Sequence, residues 1–173
     1  MLTKLFLKTG KRDYKLIDIK TVLDETPFQT AGPFLHIGCL PNAINIEGVF
    51  DNDLGVKPFA NKHCDKFITI TGSVFDGDGK ALDDIMLESW QSDENGVYSP
   101  ECGFARFVPD TLTKKFNLYT LKPGFIHDID GKPQSPHILL SISSRGLNMT
   151  LNTRIYFEGD DLTSDPLLSI VRN

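Results

Sequence analysis

The sequence predicts an all-β protein, a β-sandwich preceded by an irregular N-terminal arm. From Phe67 onward, short stretches of alternating, β-branched-rich residues recur at near-regular spacing. Strong turn signals separate them: Asp76-Gly77-Asp78-Gly79, Asp93-Glu94-Asn95-Gly96 and Lys122-Pro123-Gly124. No long apolar stripe of helical period interrupts the series.

Residues 1–23 mix apolar and basic side chains and suit one short strand or helix. Residues 24–38 hold two prolines and two glycines, which favour an extended or turning path. Residues 39–62 contain Pro41, Gly48, Gly55 and Pro58 without a sustained period, the pattern of a long loop of interfacial or functional kind. The expected division is an arm over 1–60, serving as an interface, and a core domain over 61–173. Within the core, 67–75 (FITITGSVF), 85–91 (IMLESWQ), a short 104–108, 116–121 (FNLYTL), 137–143 and 151–157 (LNTRIYF) are the expected strands. The tail, 158–173, is acidic and then apolar, and suits one helical turn or a final strand.

The chain has 173 residues, 40% hydrophobic and 24% charged, enough for one sizeable core. A net charge of −5 and the lack of a Lys/Arg run exclude a nucleic-acid-binding surface. The N-terminus shows no signal-peptide h-region and nothing approaches a membrane span, so a cytoplasmic location with no membrane partner is expected. Cys39, Cys64 and Cys102 form no C-x-x-C spacing and are expected as free thiols in a reducing compartment.

No G-x-S-x-G, P-loop or G-x-G-x-x-G occurs, and Gly77 and Gly79 belong to a hairpin. His63 and Cys64 are neighbours whose side chains diverge on an extended chain, a poor nucleophile–base pair. Histidines stand at 36, 63, 127 and 137. Two histidines at i and i+2 on one strand project from one face and share an ion readily. Here His137 is followed at that spacing by Leu139, which has no donor atom. A set of His127, Asp128 and His137 is disfavoured because a loop with Lys132-Pro133 separates its members. No metal is expected on this chain.

Four segments in order carry a family resemblance: 25–38 (ETPFQTAGPFLHIG), 72–98 (GSVFDGDG … LESWQSDENGVY), 121–124 with 135–138 (LKPG, SPHI), and 145–157 (RGLNMTLNTRIYF). Together they resemble the intradiol ring-cleavage dioxygenases, over most of the chain from Asp24 to Val171, and specifically the α chains of the two-chain αβ kind. The resemblance implies a β-sandwich and a hetero-oligomer with an iron-bearing β subunit. It implies O2-dependent cleavage of 3,4-dihydroxybenzoate to 3-carboxy-cis,cis-muconate at a ferric site on that partner, held by two tyrosines and two histidines. In this chain Tyr98 matches the first tyrosine and His137 the first histidine. Leu139 takes the second histidine's place, and Phe125-Ile126-His127 stands where the second tyrosine belongs. Tyr98 and His137 are thus expected as vestigial ligand positions, with no cofactor bound here. By the same resemblance Thr30, Pro33 and Arg145 contribute to the substrate pocket of the partner. Arg154 is expected to be structural or interfacial. Phe34 stands where tyrosine is usual, Phe28 where serine is usual, and the C-terminus is shorter than the family's. The competing expectation is a catalytically silent, stand-alone binding protein on the same fold.

Overall fold

The computed structural model describes residues 30–60, 62, 66–99, 102–163, 165–168 and 170. Eight strands follow in chain order: β1 (Phe67–Gly72), β2 (Ile85–Trp90), β3 (Phe104–Phe107), β4 (Phe116–Leu121), β5 (Ile126–His127), β6 (Pro133–Gln134), β7 (His137–Ser144) and β8 (Leu151–Tyr156). A four-stranded antiparallel sheet runs β3-β2-β7-β8, β1 pairs with β4, and β5 pairs with β6.

The alternation explains how these layers meet. On β7, Ile138 and Leu140 are buried and face Ile85 and Leu87 of β2 and Phe116 and Leu118 of β4. Ile70 of β1 packs on the same core. One face of the large sheet therefore buries its side chains against β1 and β4, which is the expected sandwich. Gln91, only 1% exposed, ties the layers with polar bonds. Its amide donates to the Leu121 carbonyl at 2.8 Å and accepts from Thr120 Oγ1 at 2.8 Å.

The six expected strands form, with adjusted ends. β1 stops at Gly72, because Asp76 Oδ1 accepts from the backbone N–H of Asp78 and Lys80 and closes a turn that leaves Phe75 a single bridge to Ala81. The β5–β6 hairpin was not expected, since two residues per strand leave no alternation to read. At the end of the segment 24–38, expected to be extended or turning, Leu35–Cys39 forms the short helix α1, and the loop expected over 39–62 contains a 3-10 turn at Asn42–Ile44. Neither has a helical period. They hold because Leu40 is buried and because Asp53, 6% exposed, accepts from the backbone N–H of Ala43 (2.9 Å) and the side chain of Asn42 (3.1 Å). The tail makes one turn after Asp165, with Ile170 N–H bonded to the Leu167 carbonyl at 3.0 Å. The His63–Cys64 pair and residues 1–29 lie outside the described residues, and Cys39 and Cys102 are free thiols. No helix among the described residues is long and apolar enough to cross a membrane.

Candidate functional site

Residues on β7 that alternate with the core set, His137, Leu139 and Ser141, face the outer side of the large sheet. Register then determines their neighbours. Trp90 and Arg154 flank Leu139, and Tyr156 lies opposite His137. Beyond β2 the turn at 93–97 carries Tyr98 back over this face, where its ring stacks on Trp90 at 5.9 Å. That turn is built by Asp93. Its Oδ1 accepts from the N–H of Asn95 and Val97, both at 2.9 Å, and its Oδ2 pairs with Lys62 at 2.7 Å. Burial pushes the Asp93 carboxyl up, yet the Lys62 bond and the two N–H donors outweigh it and hold it below its usual range.

His137 is 3% exposed, and its Nδ1 lies 2.8 Å from the Ser135 carbonyl. A carbonyl only accepts, so Nδ1 carries the hydrogen and Nε2 is left as the acceptor. Burial lowers the His137 pKa, the Ser135 bond opposes this, the Arg154 charge lowers it further and Asp165 raises it. Burial pushes the Tyr98 hydroxyl up, against the same Arg154 charge. One guanidinium thus acts on both positions. Arg154 Nη1 donates to Gln134 Oε1 at 3.1 Å and to the Tyr156 hydroxyl at 3.3 Å.

The depressed His137 value has a consequence for stability. The fold favours neutral imidazole, so its contribution is fully present above the unfolded value near 6.5 and is lost as pH falls through the lower folded value. Thermal unfolding at pH 7.5 and 5.5 is expected to show a smaller pH-dependent loss in His137→Gln than in the parent. An equal loss in both would exclude His137 as a source of acid sensitivity.

The donor set does not suit a ferric ion. Tyr98 and His137 offer two ligands, Leu139 and Phe125 offer none, and a cationic guanidinium lies beside them. Among the described residues no three His, Cys, Asp or Glu side chains cluster as a metal site.

The other expected residues gather elsewhere. Arg145 occupies the β7–β8 turn, 65% exposed, with Nε 2.5 Å from Asp84 Oδ2, an ionic contact without hydrogen-bond alignment. It borders an open hollow of about 550 Å³ together with Val74, Phe75, Leu82 and Ile142. Ala31, next to Thr30, faces Ser143, Ser144 and Met149 of the same turn region, while Pro33 is exposed ahead of α1, which lies against β2. Thr30 Oγ1 donates to the Ala31 carbonyl, at 3.3 Å. The structure therefore brings the 30–33 segment and Arg145 to one end of the sheet, with Tyr98 and His137 at the other. His137 and Ser144 are seven residues apart on β7, about 23 Å at ~3.3 Å per residue. Another hollow, about 780 Å³, is lined by the 51–57 loop with Asn42 and Ala43 and includes none of these residues.

Sequence reasoning missed the part played by Arg154, Gln134, Tyr156 and Asp165. Alternation alone puts Arg154 and Tyr156 on one face of β8, but only the β7–β8 register sets them beside Leu139 and His137.

A dioxygenase family model matches residues 42–173. The chain is 36% identical over 146 residues to the protocatechuate 3,4-dioxygenase alpha chain of Pseudomonas putida, covering 80% of this chain and 72% of that relative. It is 33% identical over 164 residues to the alpha chain of the same name from Burkholderia cepacia, covering 87% and 80%. Among solved structures, 3-chlorocatechol 1,2-dioxygenase of Rhodococcus opacus 1CP superposes with a TM-score of 0.54 at 22% identity, over 61% of this chain and 49% of that one. Catechol 1,2-dioxygenase of Pseudomonas arvilla C-1 gives 0.52 at 21%, over 61% and 40%. The superposition spans half or less of these two solved chains, and it shows a shared fold. The chain belongs to the intradiol dioxygenase family.

Proposed function

We propose that this chain is the non-iron α subunit of a protocatechuate 3,4-dioxygenase, acting in the cytoplasm with an iron-bearing β subunit. The partner's ferric ion would supply the activation of 3,4-dihydroxybenzoate toward O2, and this chain would be inactive alone. The observation that carries the reading is the Leu139–Arg154 juxtaposition beside Tyr98 and His137, which fits vestigial ligand positions. The names of the two alpha-chain relatives support the partner. So do the exposed apolar side chains of the arm, Phe34, Val49, Phe50, Leu54 and Val56, which suit an interface over residues 1–60 ahead of the 61–173 core. Thr30, Pro33 and Arg145 are this subunit's share of the partner's pocket. Arg145, positioned by Asp84 and still largely exposed, pairs with the substrate carboxylate.

Expression of the chain alone and together with a β partner tests this. Iron, tyrosinate-to-iron colour and ring-cleaving activity are expected only in the co-expressed sample. Stoichiometric iron in the lone chain would refute the reading. In the co-complex, Arg145→Ala is expected to lower kcat/KM for 3,4-dihydroxybenzoate about tenfold, the loss of about 1.4 kcal/mol of charge-assisted pairing. An unchanged kcat/KM would remove Arg145 from the pocket.

A further inference from the structure

The β1–β4 pair turns Tyr119 to solvent, 59% exposed, with its ring stacked on Phe67 at 4.8 Å and an interplanar angle of 8°. Tyr119 is the shared wall of two hollows. One, about 220 Å³, is bounded by Pro58, Phe59, Ala60 and Phe67. The other, about 270 Å³, lies against Leu40, Val56, Val108, Pro109 and Leu118. The chain from Gly55 to Ala60 runs past both, so they form one groove with the Tyr119 ring as a ridge across it. An apolar cavity of about 150 Å³ takes a benzene-sized group, so each hollow has room for one branched or aromatic side chain.

The charges at the rim are one-sided. Lys57 lines the first hollow and Lys115 the second; both are exposed, and among the described residues neither makes an ion pair. Lys62, also at the first hollow, is taken up by Asp93 and Glu94. The carboxylate on the wall of the second, Asp110, is turned to the N–H groups of Leu112 and Thr113, at 3.1 and 2.7 Å. On a chain of net charge −5, two uncompensated cations beside an apolar groove are a local reversal of sign. A cationic rim selects an acidic partner. Two hollows astride one ring select an extended chain, whose alternate side chains point the same way about 6.5 Å apart.

We propose that this groove docks an extended acidic segment of another protein, with two apolar side chains two residues apart seated on either side of Tyr119 and flanking carboxylates on Lys57 and Lys115. The docking requires no metal and does not rest on the subunit assignment.

The full chain is titrated into a fluorescein-labelled peptide of sequence D-E-L-E-L-E-D, and binding is read by fluorescence anisotropy. One control peptide carries serine for both leucines, the other glutamine and asparagine for the acids. Saturable binding of the first peptide is expected at about 0.1–1 mM in low salt, and high salt should weaken it at least about fivefold. Both control peptides should bind at least about tenfold more weakly. Tyr119→Ala is expected to weaken binding about tenfold, and Lys57→Glu combined with Lys115→Glu to abolish it. Lys132→Glu makes the same charge change on the exposed β5–β6 turn and should leave it unaltered. If Tyr119→Ala does not fold, the exposed lysine pair and the peptide series decide. No saturable binding, equal affinity for the serine peptide, or undiminished binding in the folded lysine variant would overturn the site. Light scattering of the chain alone tests the occupant: a dimer that Tyr119→Ala dissociates would put a second copy in the groove and overturn the assignment to another protein. None of these results bears on iron or activity in the co-expressed complex, so either reading can fail alone.

Discussion

Gly96→Ala is expected to destabilise the chain by about 3–5 kcal/mol, enough to lower the melting temperature by roughly 6–20 °C at this chain length. Two costs combine. Gly96 has φ +79, and an L residue there costs about 1–2 kcal/mol. The larger cost is collision, because a Cβ at this position lies 1.9 Å from the Phe125 carbonyl oxygen. That neighbour is backbone and cannot swing aside. Gly124 meets the same turn from the other side, its own missing Cβ 2.6 Å from Gly96 N and 2.7 Å from the Glu94 carbonyl. The two turns are held by the Gly124 N–H bond to the Asp93 carbonyl at 2.8 Å. Gly79→Ala is the matched control: φ is +78 and nothing lies within 4 Å of the added carbon, so only about 1–2 kcal/mol is expected. The Gly96 variant should also disturb Tyr98, two residues on, which Trp90 fluorescence reads through their stacking. Equal melting temperatures for the two alanine variants would show that the turns separate easily and that the close approach carries no stability.

The same turn shows what a sequence makes legible. D-E-N-G is readable because Asp93 and Gly96 act within five residues: a side-chain acceptor for two local N–H groups and a residue that tolerates positive φ. The strands are readable because period-two alternation is likewise local, and so is the gap at Leu139, one β repeat from His137. The arm is another matter. α1 is five residues long, Phe34 provides no side-chain cap and the chain after it is held by buried Leu40, while the 3-10 turn that follows is held by the Asp53 carboxylate, ten residues from the Ala43 N–H it receives. Nothing local announces that. Arg154 was legible as an outer-face residue but not as the neighbour of Leu139, because strand register is a property of two segments and their turn. Thr30, Pro33 and Arg145 came from resemblance, and their gathering at one end of the sheet depends on a path of more than one hundred residues.

Asp165→Ala is expected to cost about 2–4 kcal/mol, because one buried carboxylate serves three separate segments. Asp165 is 1% exposed. Its Oδ2 accepts from the Ser135 N–H at 3.1 Å and the Tyr156 hydroxyl at 3.4 Å, and its Oδ1 from the Leu167 N–H at 2.9 Å. Alanine leaves the Ser135 N–H, in a residue 0% exposed, without an acceptor, at about 1–3 kcal/mol for an orphaned buried donor. Relief of burying a carboxylate offsets part of the loss, which sets the upper end near 4 rather than 6 kcal/mol. Asp165→Asn keeps the volume and one carbonyl acceptor and should lose about half as much. The two variants share a second signature that separates charge from packing. The Asp165 charge raises the His137 pKa against burial, so removing it must lower that pKa further in both, by a similar amount. The imidazole titration followed by NMR reads this directly. A His137 pKa that moved only in the alanine variant would mean that Asp165 acts on the imidazole through packing. A pKa that fell in both while only alanine lost most of the stability would show one side chain doing two jobs: acceptor for the Ser135–Leu167 backbone, and counter-charge to the Arg154 guanidinium across His137.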